Sequence, residues 1–332
     1  MRLLIALILI AAGLWSGYWY TGQSAKRQVI EAWLSERRAA GWTAEYGNFT
    51  IAGFPNRFDS SFSDLTLASP HSGIGWQTPF LQILALSYQP NHIIAAFADN
   101  QTVTLPLEDV TIASHDMLAS VVFEPDSRLA LSRLTLQAED LALTGSSGWQ
   151  AGAGQLSLAT RQSAAGDFAH DLVFEAADLV PTELMRRSLD PKGRLPARLQ
   201  SGLLDLTLDF DAPWDRIAVE TGAPLVTGIA VNRLDLRWGT LGLAASGDFE
   251  VAPNGRISGR LDLEIRNWRY VLDLFVAAGI VTPANAETIR TGLDILTSSA
   301  ADPDTLKAPL VLDGERMSLG PVPLGPAPYL VR

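Results

Sequence analysis

Four histidines are the first candidates for chemistry, because an imidazole can act as a base or a metal ligand near neutral pH. They are His71, His92, His115 and His170. No two have the spacing of a zinc site, and His-Glu-x-x-His does not occur. His115 and His170 each precede an aspartate, but neighbouring side chains on a strand face opposite sides. The pattern predicts solvation or local hydrogen bonding.

Motifs for nucleophilic catalysis and phosphate binding are absent. Gly-x-Ser-x-Gly and Ser-x-x-Lys do not occur, and without cysteine there is no thiol nucleophile. The glycines at 148, 152 and 154 lack the Gly-Lys-Ser/Thr ending of a phosphate-binding loop. We therefore expect no catalytic residue, no metal and no cofactor. An enzyme whose residues converge only in the fold ranks last.

Three aspartates invite a calcium interpretation. Asp209, Asp211 and Asp215 have alternate spacing, but Pro213 and Trp214 stand where an EF-hand loop needs an oxygen ligand and a glycine. We interpret the three acids as the solvated face and the end of a strand.

A small basic cluster is the remaining polar candidate. Arg186, Arg187, Lys192 and Arg194 flank a predicted helix and could contact lipid phosphates or a protein partner. The alternative is a solvated helix end. A net charge of -11 argues against nucleic acid as a partner.

The N-terminal segment positions everything that follows. Leu3–Tyr20 carries no charge and would extend about 27 Å as a helix, close to the thickness of the hydrocarbon core. It ends in four aromatic residues, Trp15, Tyr18, Trp19 and Tyr20, which we interpret as a rim at the membrane–water interface.

A retained anchor is favoured over a cleaved signal peptide, because bulky rings stand where cleavage needs small residues. Its orientation is contested. Lys26, Arg27, Arg37 and Arg38 follow the segment and would favour a cytoplasmic C-terminal side, yet long domains translocate largely regardless of charge. We expect a single-pass inner-membrane protein with the bulk of the chain in the periplasm.

The predicted organisation has three parts. Residues 1–25 form the anchor, residues 26–41 an amphipathic stalk helix, and residues 42–332 a single elongated β-rich extracytoplasmic domain. The apolar face of the stalk is formed by Val29, Ile30, Trp33 and Leu34. Periodicity does not decide whether this face packs on the domain or lies on the membrane.

Alternating segments dominate the rest of the chain. A short pattern of polar residues followed by Leu-x-Leu or a similar triplet recurs, for example at Ser63–Leu67 and Asn232–Leu236, and predicts one-sided strands. Pro253-Asn254-Gly255 predicts a hairpin turn. Helices are predicted over Pro181–Leu189, over Trp268–Ile280, and from Thr282-Pro283 to about Ser298. The C-terminal prolines favour an extended tail.

Two segments carry a resemblance to a known family. Gly53-Phe54-Pro55-Asn56-Arg57-Phe58-Asp59 and the stretch Leu312–Gly325, together with the anchor, resemble the bacterial envelope family called domain of unknown function 2125. That family has no assigned activity, so the resemblance implies no catalytic residue. Over Leu234–Ile265 the chain is more loosely similar to AsmA-like proteins, which implies curved sheets with an apolar groove associated with lipid movement.

These observations predict an α+β, β-dominated protein. The N-terminal transmembrane helix precedes a large twisted antiparallel sheet, with a possible apolar groove and a few C-terminal helices. Sheets this apolar must close, stack or line a cavity. The leading hypothesis is a non-catalytic module that binds or helps move lipid or another apolar ligand. The alternative is an envelope scaffold or assembly factor that binds a protein partner.

Overall fold

A computed structural model describes residues 1–279, 281–298 and 302–330. Strands make up 51% and helices 23% of it. The predicted class is confirmed, with a long N-terminal apolar helix, a large antiparallel sheet and a few C-terminal helices. The chain divides into two compact units, Met1–Phe123 with Leu136–Gly148 and Glu124–Thr135 with Trp149–Arg332. The single domain expected over residues 42–332 stays a prediction.

A single helix opens the first unit. Helix α1 (Arg2–Ala39) runs without a break through the predicted anchor and the predicted stalk, and its 38 residues extend about 57 Å. The Leu and Ile side chains between Leu3 and Leu14 are exposed, whereas Leu34 is buried in a core cluster and Ile30 packs against it. Ile30 and Leu34 of the predicted apolar face therefore pack on the first unit, whereas Val29 and Trp33 are 68% and 44% exposed.

At two positions in the sheet of the first unit, two short strands in succession occupy the place of one long strand. Strands β1 and β2 both pair with β3, which pairs with β4, and β5 and β6 each pair with β4 and β7. Helix α1 contacts β1 and β2. The bounds are β1 (Thr43–Glu45), β2 (Asn48–Ala52), β3 (Asp59–Ala68), β4 (Gly75–Leu86), β5 (Gln89–Phe97), β6 (Asn100–Thr104) and β7 (Asp109–Phe123).

The second unit contains an antiparallel meander of nine strands. From β9 to β17 each strand pairs with the next one along the chain. Strand β8 (Leu131–Gly145) is divided between the units after Thr135. The bounds are β9 (Gln150–Gln162), β10 (His170–Leu179), β11 (Leu199–Phe210), β12 (Val226–Trp238), β13 (Leu241–Val251), β14 (Ile257–Arg266), β15 (Thr305–Asp313), β16 (Arg316–Leu319) and β17 (Val322–Pro326).

The turn between β13 and β14 is the predicted hairpin. Gly255 has a φ of +79°, and a Cβ there would lie 2.2 Å from the carbonyl oxygen of Leu330, so only glycine fits. The C-terminal segment is a hairpin strand rather than a free extended tail: Pro323 and Pro326 lie in β17, which pairs with β16, and Pro321 lies in the turn between these strands.

The four short helices belong to the second unit. They are α2 (Glu183–Leu189), α3 (Arg216–Thr221), α4 (Trp268–Ala277) and α5 (Pro283–Thr297). Three were predicted. Thr182 and Thr282 cap α2 and α5 by accepting hydrogen bonds through their hydroxyl oxygens. Helix α2 therefore begins at Glu183, two residues after the predicted start at Pro181. Ile280, the predicted end of α4, lies outside the described residues. Helix α3 was not predicted, and its cap is Asp215.

Candidate functional site

The meander has one apolar face that continues across seven strands. Residues paired on neighbouring strands point to the same side, so they form rows perpendicular to the strands. One row is Leu158, Phe174, Leu204, Leu234, Ala245, Leu263 and Ala308. The adjacent row is Thr160, Leu172, Leu206, Val231, Gly247, Leu261 and Leu310. We call these two rows the apolar rows.

Helices bury one end of the apolar rows and not the other. Helix α4 contacts β13, and α5 contacts β15 and β17. Beneath them Ala308 is buried beside Trp268 and Leu293 in one core cluster. On β9 to β12 every member of the apolar rows is only half-buried, including Phe174 and Leu206.

A bulge and two glycines interrupt the regular sheet beside these rows. The register of β12 against β13 shifts between Val231 and Leu234. Gly247 and Gly259 both have a φ of +150°, and a Cβ at either would lie 2.1 Å from a carbonyl oxygen of the opposite strand. Bulges add twist and glycines allow two backbones to approach closely, so the apolar rows cross a distorted part of the sheet.

The opposite face of the same strands is polar. It carries a shallow depression of about 530 Å³, lined by charged side chains of β12, β14 and β15. The ion pairs there join Arg233 to Asp235 at 3.3 Å and Lys307 to Glu264 at 2.9 Å. Because its charges neutralise one another, this face is a poor site for an apolar or an anionic ligand.

In the first unit, the second half of the predicted anchor is docked on main-chain carbonyls. The indole nitrogens of Trp15 and Trp19 donate to the carbonyl oxygens of Pro55 (2.9 Å) and Arg57 (2.8 Å). The hydroxyl of Tyr18 donates to the carbonyl oxygen of Ser87 at 2.7 Å. The turn that contains Gly-Phe-Pro, on which the family resemblance rests, therefore binds the second half of the predicted anchor.

Packing reinforces this docking. Trp19 is 4% exposed and stacks on Phe58, with ring centroids 5.8 Å apart. A Cβ at Gly22 would lie 2.7 Å from the Phe58 ring, so the helix approaches closely at that point. Further along α1, the Lys26 ammonium donates to the carbonyl oxygen of Phe58 at 2.6 Å. Burial lowers the pKa of Lys26, and the nearby carboxylate of Asp59 opposes the shift.

The predicted membrane rim thus has two kinds of residue. Trp19 is buried in protein, while Trp15, Tyr18 and Tyr20 keep exposed surface, with Tyr20 at 62%. Phe54 stacks on Tyr20 and is itself 52% exposed. The rim assignment stays a prediction. In the sequence, Phe54 stands out only as part of the turn that resembles the family.

The predicted basic cluster is largely paired within the protein. Glu183 accepts hydrogen bonds from Arg186 and Arg187, at 2.8 and 2.6 Å, and these bonds lower the pKa of its carboxyl. Arg194 lies over the ring of Tyr270, and Lys192 is exposed. A role in lipid or partner contact stays a prediction, but the ion pairs leave less net charge than the sequence suggests.

The helix junction beside that cluster contains a buried aspartate. Asp190 is 2% exposed and accepts hydrogen bonds from the Tyr270 hydroxyl (2.6 Å) and the Leu195 amide (2.7 Å). Burial alone would raise the pKa of Asp190, but these hydrogen bonds outweigh it and lower the pKa. Burial and the same bond raise the pKa of Tyr270 to about 12.

Replacing Tyr270 with phenylalanine is expected to cost about 1.5–3 kcal/mol of stability, the usual contribution of a hydrogen bond to a charged group. The lowered pKa of Asp190 stabilises the fold above about pH 4, and this stabilisation is lost as the pH falls through the folded-state pKa. Acid unfolding of Tyr270→Phe should therefore begin at a higher pH, measured by circular dichroism. Tyr329→Phe, at a 69% exposed tyrosine, is the control. Equal acid midpoints for the two variants would contradict the assignment.

The strand alternation argued against a contact between His115 and Asp116, but their side chains lie 3.7 Å apart. Asp116 has a φ of +48°, so the chain is not a regular strand at this point.

The two buried candidates, His170 and Asp215, have structural roles. His170 is buried, with Nδ1 3.5 Å from the Thr160 hydroxyl, and burial lowers its pKa while the neighbouring carboxylate of Asp171 opposes the shift. Asp215 accepts a hydrogen bond from the Ala218 amide at 3.0 Å as the cap of α3. Within the described ranges, no group of three or more acidic or histidine side chains is arranged to hold a metal.

Comparison with known protein families identifies the family of this chain. The model of a family described as "Uncharacterized protein conserved in bacteria" (DUF2125) matches residues 19–328. No curated protein and no solved structure matches the chain. The predicted resemblance to this family is confirmed, and the looser likeness to AsmA-like proteins is not. The matched range begins at Trp19, so it includes this docked residue but neither Trp15 nor Tyr18.

Proposed function

The chain belongs to the bacterial family DUF2125, and we propose that it is a membrane-anchored, non-catalytic envelope protein whose apolar rows bind an acyl chain of a lipid. The observation that carries this proposal is the half-buried state of the apolar rows on β9 to β12. Contiguous apolar surface of this kind is a feature of binding sites, because leaving it in water is unfavourable.

The dimensions and chemistry of the rows suit such a ligand. Four strands about 4.8 Å apart present roughly 14 Å of apolar surface along each row. Burying one methylene contributes about 0.8 kcal/mol, so an acyl chain lying along a row would gain several kcal/mol. The rows offer leucine, valine and phenylalanine side chains with few polar partners, which favours a flexible hydrocarbon over a polar ligand.

The anchor supports a site of action at a membrane. Among the described residues, α1 is the one helix long and apolar enough to cross a bilayer, and a signal sequence would also meet these criteria of length and composition. The docked Trp19 favours retention, because cleavage after α1 would remove a buried side chain from the core of the first unit. We place the anchor in the inner membrane and the two units in the periplasm.

Photo-crosslinking in cells tests the ligand. With p-benzoylphenylalanine in place of Phe174, on an apolar row, we expect a lipid adduct detectable by mass spectrometry. The matched control is the same substitution at Glu175, which is exposed on the opposite face of β10. A stoichiometric protein adduct at position 174 would favour the alternative, a scaffold or assembly factor. Equal lipid labelling at both positions would contradict a site on the apolar rows.

A further inference from the structure

Helix α1 meets the first unit before its apolar segment ends. The stretch from Leu3 to Leu14 has about 12 residues and extends roughly 18 Å, whereas the hydrocarbon core is about 30 Å thick. The next residue, Trp15, already donates a hydrogen bond to Pro55. The helix therefore spans the core only if Trp15 to Tyr20 also lie at membrane depth.

Two turns of the first unit lie beside those helix residues. The turn at residues 53–58 accepts hydrogen bonds from Trp15 and Trp19, and the turn at Ser87-Tyr88 accepts one from Tyr18. The turns also bond to each other, since the Ser87 amide donates to the carbonyl oxygen of Asn56 at 2.8 Å. Because of these hydrogen bonds, both turns lie at the same depth in the bilayer as the end of the apolar segment.

Each turn exposes one aromatic side chain. Phe54 is 52% exposed and Tyr88 is 61% exposed, although rings of this size are usually buried at least in part. An aromatic ring at the membrane–water interface is favourable, and tyrosine also keeps its hydroxyl in the hydrated layer. The two turns thus have the chemistry of an interfacial contact.

We propose that the turns at residues 53–58 and at Ser87-Tyr88 enter the interfacial layer of the bilayer that holds α1, with Phe54 and Tyr88 contacting lipid. This proposal rests on the proposed membrane anchoring. The first unit is then seated directly on the bilayer surface rather than raised above it on a stalk.

The absence of cysteine makes the test direct, because a single introduced thiol can be labelled. Full-length Phe54→Cys and Tyr88→Cys are labelled with an environment-sensitive fluorophore and reconstituted into phosphatidylethanolamine–phosphatidylglycerol vesicles. The control is Leu107→Cys, in the turn between β6 and β7. Leu107 is 97% exposed, so it would also insert if exposed apolar turns inserted indiscriminately. It lies near the far end of β4, whose 12 residues extend about 40 Å.

We expect labels at positions 54 and 88 to shift to shorter emission wavelength and to be quenched more by a spin-labelled lipid than by iodide. The label at position 107 should show no such shift and should be quenched more by iodide than by the spin-labelled lipid. If the protein resists carbonate extraction while all three labels behave as in water, the proposed contact of the two turns with lipid is wrong, but the proposed membrane anchoring is supported. If carbonate releases the protein, or if a membrane-impermeant thiol reagent fails to modify the 107 thiol in spheroplasts, the anchoring or its orientation is wrong and the seating fails with it.

Discussion

Gly247→Ala is expected to destabilise the second unit by roughly 4 kcal/mol and to open β13 and β14. Two effects add. A φ of +150° is a conformation that alanine adopts only at a cost of about 1–3 kcal/mol, and the new Cβ would lie 2.1 Å from the carbonyl oxygen of Arg260, which adds overpacking of similar size. Hydrogen exchange read by mass spectrometry should show lost amide protection in both strands, and the thermal midpoint should fall.

The matched control for this substitution is Gly202→Ala. Gly202 lies in β11 of the same meander, and the nearest atom to an added Cβ is a methyl of Leu179 at 3.9 Å. Alanine there should leave stability unchanged or raise it by about 0.4–1 kcal/mol, because it reduces the freedom of the unfolded chain. Similar exchange profiles for the two variants would show that the close approach of the strands at Gly247 is absent in solution.

Trp19→Ala is expected to detach α1 from the turn at residues 53–58, at a cost of about 3–5 kcal/mol for truncating a buried tryptophan. The substitution removes the stacking on Phe58 and the hydrogen bond to the carbonyl oxygen of Arg57. Trypsin should then cleave after Arg57 in detergent-solubilised protein, and hydrogen exchange over residues 48–62 should accelerate.

The neighbouring residue provides the control. Tyr20→Ala removes an aromatic side chain of similar size that is 62% exposed, so the cleavage rate after Arg57 should change little. If Trp19→Ala leaves the turn as protected as Tyr20→Ala does, the two aromatic residues act alike. The predicted uniform rim would then describe them better than docking does.

Features set by local chemistry were predictable from the sequence. Asn254-Gly255 tolerates positive φ, and the hairpin between β13 and β14 turns there. Thr282 followed by Pro283 is a helix start, and α5 begins at that proline. The alternation at Asn232–Leu236 predicts a one-sided strand, and Leu234 of this segment lies on the face of the apolar rows in β12.

Features set by distant contacts were not predictable. Trp19 and Tyr20 have similar hydropathy, so the sequence does not distinguish them. Only Trp19 faces the core, because it packs against Phe58, which is distant in the chain. The sequence predicts Asp215 to be the solvated end of a strand, whereas it is 5% exposed and caps α3, a helix of six residues that is too short to show a period. By contrast, the ion pairs of the basic cluster are local, since Glu183 lies one helical turn before Arg186 and Arg187, and counting only the basic residues misses them.

The unbroken course of α1 has a mechanical consequence. The same rigid rod carries the exposed apolar side chains at one end and the core residue Leu34 at the other, with no helix break between them. Under the proposed anchoring, a helix without a hinge would pass a tilt that matches the bilayer thickness on to the sheet of the first unit. Under that anchoring, bilayer thickness would influence the orientation of β1 to β7 relative to the membrane.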